Sequence, residues 1–281
     1  MLEVVSLEDA RHAVLARFSA WRAALQGRVE DVSLSQAAGR CTCADVTATE
    51  GVPPFDRSMV DGFAVVARDT FGCSEALPAL LFLAGEVTMG GRASVVCAPD
   101  ACVRIPTGGM LPAGADAVVM LEYCEEYGDG TVGVAKPVAP GENVVFQNDD
   151  VAPGQVLIPA GSRLLPHHIG TLASLGQTRV AVLARPRVAV ISTGDEIIPA
   201  DEVPQAAQMR DVNAPMLSAA VEACGAVPVA FGIVPDEYDA LRACVKEALS
   251  TCDMVLVSGG SSAGARDNTA RVLAELGEVL F

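Results

Sequence analysis

The segment after Pro186 alternates between apolar runs and amphipathic stretches, and this alternation constrains the fold more than any other feature. RVAVIS, VPVAFGIV and DMVLVSGG have the length and composition of buried strands. MLSAAVEACG, EYDALRACVKEALS and DNTARVLAELG follow them in turn and have helical spacing. Strands that alternate with helices in this way predict a parallel sheet with helices on both faces.

The chain before Pro186 has a different texture. Residues 6 to 26 predict an amphipathic helix, with Ser6 as its N-cap and Asp9 three residues later. From 46 to 149, short apolar runs are broken by Gly, Pro and Asp, which predicts an all-β domain. The stretch PHHIGTLASLGQTRV predicts a short helix and a strand. The predicted segments are 1–46, 47–149, 150–184 and 185–281.

Composition argues against several classes of protein. The chain has 35 Asp and Glu against 19 Lys and Arg, and its formal charge of -16 would repel nucleic acid and anionic membranes. No apolar stretch reaches the roughly 18 residues of a membrane span, and no signal-peptide pattern opens the chain, which favours a cytoplasmic protein. The nine cysteines form no CxxC pair, so reduced thiols that pack as small core residues are the favoured interpretation.

Two polar loops follow predicted strands, at the edge where open α/β sheets bind ligands. Residues 192 to 196 (STGDE) are, taken alone, more typical of a capped strand-to-helix turn. Residues 258 to 264 (SGGSSAG) lead through Asp267 into a predicted helix. Their glycines and the helix N-terminus suit a phosphate group, and a plain flexible turn is an equal alternative. This loop matches neither the P-loop pattern nor the GxGxxG pattern.

Three other polar stretches have ordinary local explanations. In the DVN motif, Asn213 accounts for a helix start, whereas capping does not explain Asp211. In PPFDRSMVDGFAV, Asp61 and Gly62 are typical of a tight turn that enters a strand. Residues 107 to 116 join two predicted strands, which favours a long hairpin connection.

The order of these motifs resembles the MoeA and gephyrin E-domain family, the molybdopterin molybdotransferases. The motifs are SMVDGFAV, TGGMLPAGADAVVMLE, RPRVAVISTGDEI, DVN and VSGGSSAGARDNT. The resemblance runs from the first helix to Phe281 and implies a multidomain α+β and α/β fold. A helical linker domain would comprise 1–46 and 150–184, around an inserted β domain at 47–149, followed by an α/β molybdopterin-binding domain at 185–281. The family's lysine-bearing segment and C-terminal β domain are expected beyond Phe281, so the chain is predicted to be truncated.

The resemblance implies a cytoplasmic homodimer that uses molybdate and Mg²⁺ to insert molybdenum into adenylylated molybdopterin, with release of AMP. The active site would lie across the subunit boundary, and a molybdopterin adenylyltransferase is a candidate partner. The implied catalytic residues are Asp61, Thr107 and Glu196. The implied substrate-binding residues are Thr193, Gly194, Asp195, Ser258, Gly259, Gly260, Ser261, Ser262 and Gly264. The implied metal ligands are Asp211, Asp267 and Asp150.

The sequence departs from the family pattern in GENVVFQNDD, where Val145 and Phe146 stand in place of a basic pair. Together with the missing lysine segment, this leaves a second hypothesis, a non-catalytic molybdopterin-binding scaffold or inactive fragment. Molybdate and tungstate are both tetrahedral dianions, and the sequence does not distinguish them.

Overall fold

The computed structural model describes residues 5–259 and 268–280. The chain divides into two compact units. The terminal unit comprises the described parts of Met1–Ala44, Ala160–Ile169 and Thr178–Phe281, and the β unit comprises Asp45–Pro159 and Gly170–Gln177. The structure thus has two compact units, whereas the sequence predicts four segments. The boundaries of those four segments stay a prediction.

The predicted helices and strands occur in the predicted order, together with short elements at 34–37, 197–198 and 209–210 that were not predicted. The strand-to-helix turn expected at residues 192 to 196 is wrong, because the chain enters a short strand there. The α-helices are α1 (Leu7–Gln26), α2 (Leu34–Ala37), α3 (Pro166–Ser174), α4 (Asn213–Ala223), α5 (Tyr238–Thr251) and α6 (Asn268–Leu276). The first strands are β1 (Val29–Ser33), β2 (Val46–Thr47), β3 (Arg57–Ser58), β4 (Gly62–Val65), β5 (Ala79–Glu86), β6 (Ala101–Ile105), β7 (Ala117–Met120), β8 (Cys124–Glu126) and β9 (Thr131–Val134). The others are β10 (Val144–Val145), β11 (Val156–Ile158), β12 (Arg179–Leu183), β13 (Arg187–Thr193), β14 (Ile197–Ile198), β15 (Met209–Arg210), β16 (Val227–Val234) and β17 (Met254–Ser258).

The predicted start of α1 is confirmed in detail. The amide of Asp9 donates to Ser6 Oγ at 3.1 Å, and Ser6 Oγ donates in turn to Asp9 Oδ2 at 2.6 Å. This reciprocal pair satisfies an amide that the first helical turn leaves without a partner. The predicted helix and strand in PHHIGTLASLGQTRV are also present, as α3 and β12.

The β unit contains a six-stranded mixed sheet in the order β7-β4-β6-β5-β9-β8. Strand β4 runs antiparallel to both β6 and β7, and Phe63 on β4 is fully buried in a core with Leu81 and Val119. The hairpin predicted for residues 107 to 116 is therefore wrong. These residues cross over β4, because β6 and β7 both pair with β4 and lie on either side of it.

The terminal unit contains the predicted parallel sheet, in the order β16-β13-β17. Every residue of β13 after Arg187 is buried, as expected for a central strand covered on both faces. Ile191 on β13 packs with Leu241 and Val245 of α5 and with Val272 of α6 in one apolar core. The parallel arrangement brings the carboxyl ends of the three strands to one edge.

The fold also tests the prediction made for the cysteines. All nine cysteines are free, and their interpretation as small core residues is right for Cys97 and Cys102 but wrong for Cys224, which is exposed. Among the helices that the structure describes, none combines the length and apolar character needed to cross a membrane.

Candidate functional site

Asp61 and Thr107 form one unit at the end of the six-stranded sheet. Asp61 Oδ1 accepts hydrogen bonds from the Thr107 amide at 2.7 Å and from the Thr107 hydroxyl at 3.0 Å. Both residues are exposed. The sequence singled out these two residues in separate motifs, and the structure joins them directly.

The register of β4 explains why these residues meet. Gly62, at the start of β4, pairs with Ile105 at the end of antiparallel β6 and with Met120 at the end of β7. Asp61 precedes Gly62 and therefore faces the loop that follows β6. The Asp61 carbonyl also accepts the Leu121 amide at 3.0 Å, which fixes the turn to the end of β7.

Gly62 allows this close pairing of three strands. A Cβ atom at Gly62 would lie 1.9 Å from the carbonyl oxygen of Val119, which is backbone and cannot move aside. A larger residue would therefore push β4 away from β7 and displace the turn that carries Asp61.

The hydrogen bonds to Asp61 favour its charged form. The Thr107 amide, and to a smaller extent the Thr107 hydroxyl, lower the pKa of Asp61 below its ordinary value. The carboxylate thus stays ionised at neutral pH and holds a fixed orientation.

Asp61 lines a cleft of about 310 Å³ within the β unit. Glu86 and Arg104 also line this cleft. The Arg104 guanidinium forms an ion pair with Glu126 and lies 5.3 Å from the centre of the Phe63 ring. The cleft therefore combines a fixed carboxylate with a guanidinium that is held in place from two sides.

A second group of polar residues lies at the carboxyl edge of the parallel sheet in the terminal unit. Ser192 on β13 and Ser258 on β17 are paired in register, and their hydroxyl oxygens are 3.2 Å apart. Thr193 is buried, and its hydroxyl has no hydrogen-bond partner among the described residues. An unpaired buried hydroxyl costs about 1–3 kcal/mol, so this atom favours a bound ligand or water.

Gly259 brings β17 close to β13 at this edge. Its φ is +120°, and a Cβ atom there would lie 2.1 Å from the Thr193 carbonyl oxygen. Only glycine fits in this conformation without moving the backbone.

The turn after β16 joins the same edge, which sequence reasoning missed. The Asp236 amide donates to Asp195 Oδ1 at 3.2 Å, and Asn268 Nδ2 at the start of α6 donates to the Asp236 carbonyl at 2.9 Å. The signal was available, because Asp236 follows a predicted strand of the parallel sheet just as Asp195 does.

Two family models match this chain. A model of the MoeA N-terminal region (domain I and II) matches residues 5–176, and a model of a probable molybdopterin binding domain matches residues 189–281. The chain belongs to the MoeA family. The resemblance drawn from the motifs is thereby confirmed.

Individual relatives agree with this assignment. A molybdopterin molybdenumtransferase of Bacillus subtilis (strain 168) is 35% identical over 260 residues, which cover 91% of this chain and 60% of that protein. A molybdopterin molybdenumtransferase of Nostoc sp. is 35% identical over 252 residues, which cover 90% and 58% respectively. The crystal structure of a molybdopterin biosynthesis MoeA protein from Pyrococcus horikosii matches with a TM-score of 0.80 at 35% identity, covering 99% of this chain and 68% of that one. The chain thus spans about 60% of the curated relatives it matches.

The remaining positions implied by the MoeA motifs have varied surroundings. Thr193, Gly194 and Asp195 lie at the end of β13 and in the turn after it, and the Glu196 carbonyl accepts the Met209 amide at 2.8 Å. Asp150 is exposed, and its amide donates to the Val52 carbonyl at 2.9 Å. Five implied residues, Gly260, Ser261, Ser262, Gly264 and Asp267, lie outside the described residues.

Asp211 has a structural role that the sequence interpretation denied. Its Oδ1 accepts the amides of Asn213 and Ala214, each at 3.0 Å, and so caps the N-terminus of α4. Capping therefore does explain Asp211, and the cap lies two residues before the helix starts. The buried carboxylate also benefits from the positive end of the helix.

The described residues do not form a cluster of side chains that could coordinate Mg²⁺. Among them, no three His, Cys, Asp or Glu side chains are grouped so that they could hold a metal ion. Of the three implied ligands, Asp150 and Asp211 belong to different units, and Asp267 lies outside the described part. Magnesium therefore stays a prediction from the family resemblance.

Proposed function

We propose that this chain belongs to an enzyme that inserts molybdenum from molybdate into adenylylated molybdopterin and releases AMP. The observation that carries the proposal is the fixed, ionised Asp61 carboxylate, which two Thr107 donors hold in a cleft. MoeA-family membership supplies the substrate class, since the relatives named above are molybdopterin molybdenumtransferases.

The low pKa of Asp61 narrows its role within this reaction. A carboxylate with a lowered pKa accepts protons poorly near neutral pH. Its fixed negative charge is better suited to orienting water or a cationic group close to the reacting phosphate. We therefore assign Asp61 a positioning and electrostatic role, and Thr107 the role of holding Asp61.

The carboxyl edge of the parallel sheet is the proposed binding site for the pterin substrate. Its backbone amides and the Ser192, Thr193 and Ser258 hydroxyls offer donors to an anionic ligand at the position where open α/β sheets bind small molecules. The unpaired Thr193 hydroxyl supports this assignment, because a ligand oxygen would satisfy it.

The proposal includes features that only the family resemblance supports. These are a cytoplasmic homodimer with the active site shared between subunits, use of Mg²⁺, and delivery of substrate by a molybdopterin adenylyltransferase. No step above depends on the metal ion.

One observation favours a second candidate, a non-catalytic molybdopterin-binding scaffold. Val145 on β10 pairs with Arg57, and the side chain of Phe146 beside it is exposed, so an apolar surface replaces the basic pair of the family pattern. Under this hypothesis, the protein binds molybdopterin but releases no AMP.

Measurement of AMP release separates the two candidates. Purified chain is incubated with adenylylated molybdopterin and Mg²⁺, with and without molybdate, and AMP is quantified by chromatography. Asp61→Asn keeps the shape of the side chain but removes its fixed negative charge, and should lower molybdate-dependent AMP release by about 100-fold or more.

The β unit offers a matched control. Asp129 Oδ1 also accepts from the amide and hydroxyl of a threonine, Thr131, but Asp129 does not line the Asp61 cleft. Asp129→Asn should leave AMP release unchanged. Full activity in Asp61→Asn would refute the assigned role. Substrate binding without AMP from any variant would support the second hypothesis, a molybdopterin-binding scaffold or an inactive fragment.

A further inference from the structure

The terminal unit contains a second cleft, of about 610 Å³, that the proposed reaction does not use. Trp21 lines it, together with residues 39–43, 160, 161, 163, 183–186, 224 and 225. All of these residues belong to the terminal unit, whereas Asp61 and its cleft belong to the β unit.

This cleft is also separate from the carboxyl edge of the parallel sheet. Pro186 directly precedes β13, and Gly225 lies just before β16, so both mark the amino ends of their strands. Strand β13 rises about 3.3 Å per residue, which places its two ends roughly 20 Å apart. A ligand in this cleft would therefore not occupy the proposed pterin site.

The charge of this cleft is opposite to that of the chain. Among its described lining residues are Arg40, Arg163 and Arg185, and no Asp or Glu. The chain as a whole has a formal charge of -16. A concave surface lined by one sign of charge concentrates ligands of the opposite sign.

Arg40 lines the cleft, but its charge is balanced by an ion pair with Glu30. It is buried, and its Nη2 donates to Glu30 Oε2 at 2.7 Å and to the Leu183 carbonyl at 2.8 Å. Arg163 and Arg185 differ, because both are exposed and neither forms an ion pair within the described part of the chain. Two guanidinium groups on this wall are thus available to a ligand.

We propose that this cleft binds a small molecule that carries a phosphate or diphosphate group, with Arg163 and Arg185 as its anion-binding residues. Guanidinium groups match phosphate oxygens with two parallel hydrogen bonds, and such charge-assisted bonds are stronger than neutral ones. The volume falls within the range of sites that bind small organic ligands, so the cleft can hold more than a bare phosphate ion.

The sole tryptophan of the chain makes this proposal testable, because Trp21 lines the cleft. Its fluorescence is followed while sodium pyrophosphate is added at constant ionic strength, with sodium chloride as the salt control. We expect a saturable change with pyrophosphate and none with chloride.

Substitutions then assign the response to the two arginines. Arg163→Gln and Arg185→Gln should each weaken pyrophosphate binding by about tenfold or more, because each removes a charge-assisted contact. Arg92→Gln is the matched control, since Arg92 is an exposed arginine in the β unit. Circular dichroism checks that all variants remain folded.

A second readout uses Cys224, an exposed thiol that lines the same cleft. Bound pyrophosphate should slow its alkylation by iodoacetamide, measured by peptide mass spectrometry, in the wild type but not in the double arginine variant. The proposal is overturned if pyrophosphate gives no saturable response, or if the double variant responds like the wild type.

The Asp61→Asn variant separates this inference from the proposed reaction. It should keep the full fluorescence response even where AMP release is lost. A response that disappears in Asp61→Asn would show that Trp21 reports on the other site, and would overturn the proposal.

Discussion

The two units bring polar groups together by different means. In the terminal unit, parallel strands end at one edge, so the described residues at the carboxyl ends of β13, β16 and β17 lie close together because of strand direction alone. In the β unit, Asp61 meets Thr107 because antiparallel pairing brings the start of β4 to the end of β6. A parallel edge thus collects loops without any particular pairing, whereas the Asp61 site depends on one register.

The largest expected effects test whether the two units unfold separately. Phe63→Ala removes a fully buried ring from the β unit and should cost about 3–5 kcal/mol, and Leu241→Ala should cost the terminal unit about 2–5 kcal/mol. Differential scanning calorimetry should show each substitution lowering a different transition. A single transition that both substitutions lower would mean that the chain unfolds as one body.

The next effect tests the close strand pairing beneath Asp61. Gly62→Ala places a methyl group against the Val119 carbonyl and should destabilise the protein by about 2–3 kcal/mol. Gly72→Ala is the control, because Gly72 also lies in the β unit and its position has open space. With a φ of +83°, Gly72→Ala should cost only about 1–2 kcal/mol, measured by urea denaturation. An equal or smaller cost for Gly62→Ala would contradict the steric argument.

A smaller effect is expected at Asp253 in the terminal unit. Its Oδ2 accepts Arg28 Nη2 and the Arg187 amide, each at 2.7 Å. Partial burial tends to raise the pKa of Asp253, but these hydrogen bonds outweigh it and hold the pKa below its ordinary value.

Asp253→Asn should therefore cost about 1 kcal/mol at neutral pH, since the Arg28 side chain is 44% exposed and the ion pair is screened by solvent. The ionised carboxylate stabilises the native state above its unfolded pKa, and that stabilisation is lost as pH falls through the lower native value. The difference between variant and wild type in urea denaturation should consequently shrink in acid. A difference that grows in acid would reverse the inferred sign.

The smallest expected effect is a difference in pKa between two carboxylates, Asp61 and Asp129, that each accept from the amide and hydroxyl of one threonine. For Asp61 the Thr107 amide contributes most to the lowered pKa, whereas for Asp129 the Thr131 hydroxyl contributes most. Thr107→Val and Thr131→Val each remove a hydroxyl and keep the amide. In ¹³C NMR titrations, the pKa should rise less at Asp61 than at Asp129, and the reverse order would show that the amide does not dominate at Asp61.

The same contrast explains which features could be predicted from the sequence. The N-cap at Ser6, the strand RVAVIS and the parallel sheet depend on neighbouring residues or on repeated alternation. The crossover at residues 107 to 116 and the hydrogen bonds between Asp61 and Thr107 depend on which strands pair. Asp61 and Thr107 are 46 positions apart in the sequence. The motif resemblance named both residues, but only the strand order shows why they are adjacent.

The two remaining differences concern Asp211 and Asp236, one through a local contact and the other through a distant one. Asn213 stands at the helix start and by itself accounts for a cap in the sequence. In the structure, the Asp211 carboxylate two residues earlier accepts the first amides of α4 instead. Asp236 was missed because its surroundings, PDEYD, resemble an ordinary helix start, and its contact with Asp195 spans 41 positions.

The pairing of Gly62 with Ile105 has a consequence for how chains of this kind can vary in length. Asp61 is attached directly to Gly62, and only Pro106 separates Ile105 from Thr107. Residues could be inserted in the loop between β5 and β6 without changing this spacing. One residue added between Ile105 and Thr107 would shift the threonine along its loop and release the carboxylate. Insertions should therefore be tolerated much less between Ile105 and Thr107 than in the loop between β5 and β6, although Asp61 and Thr107 are both exposed.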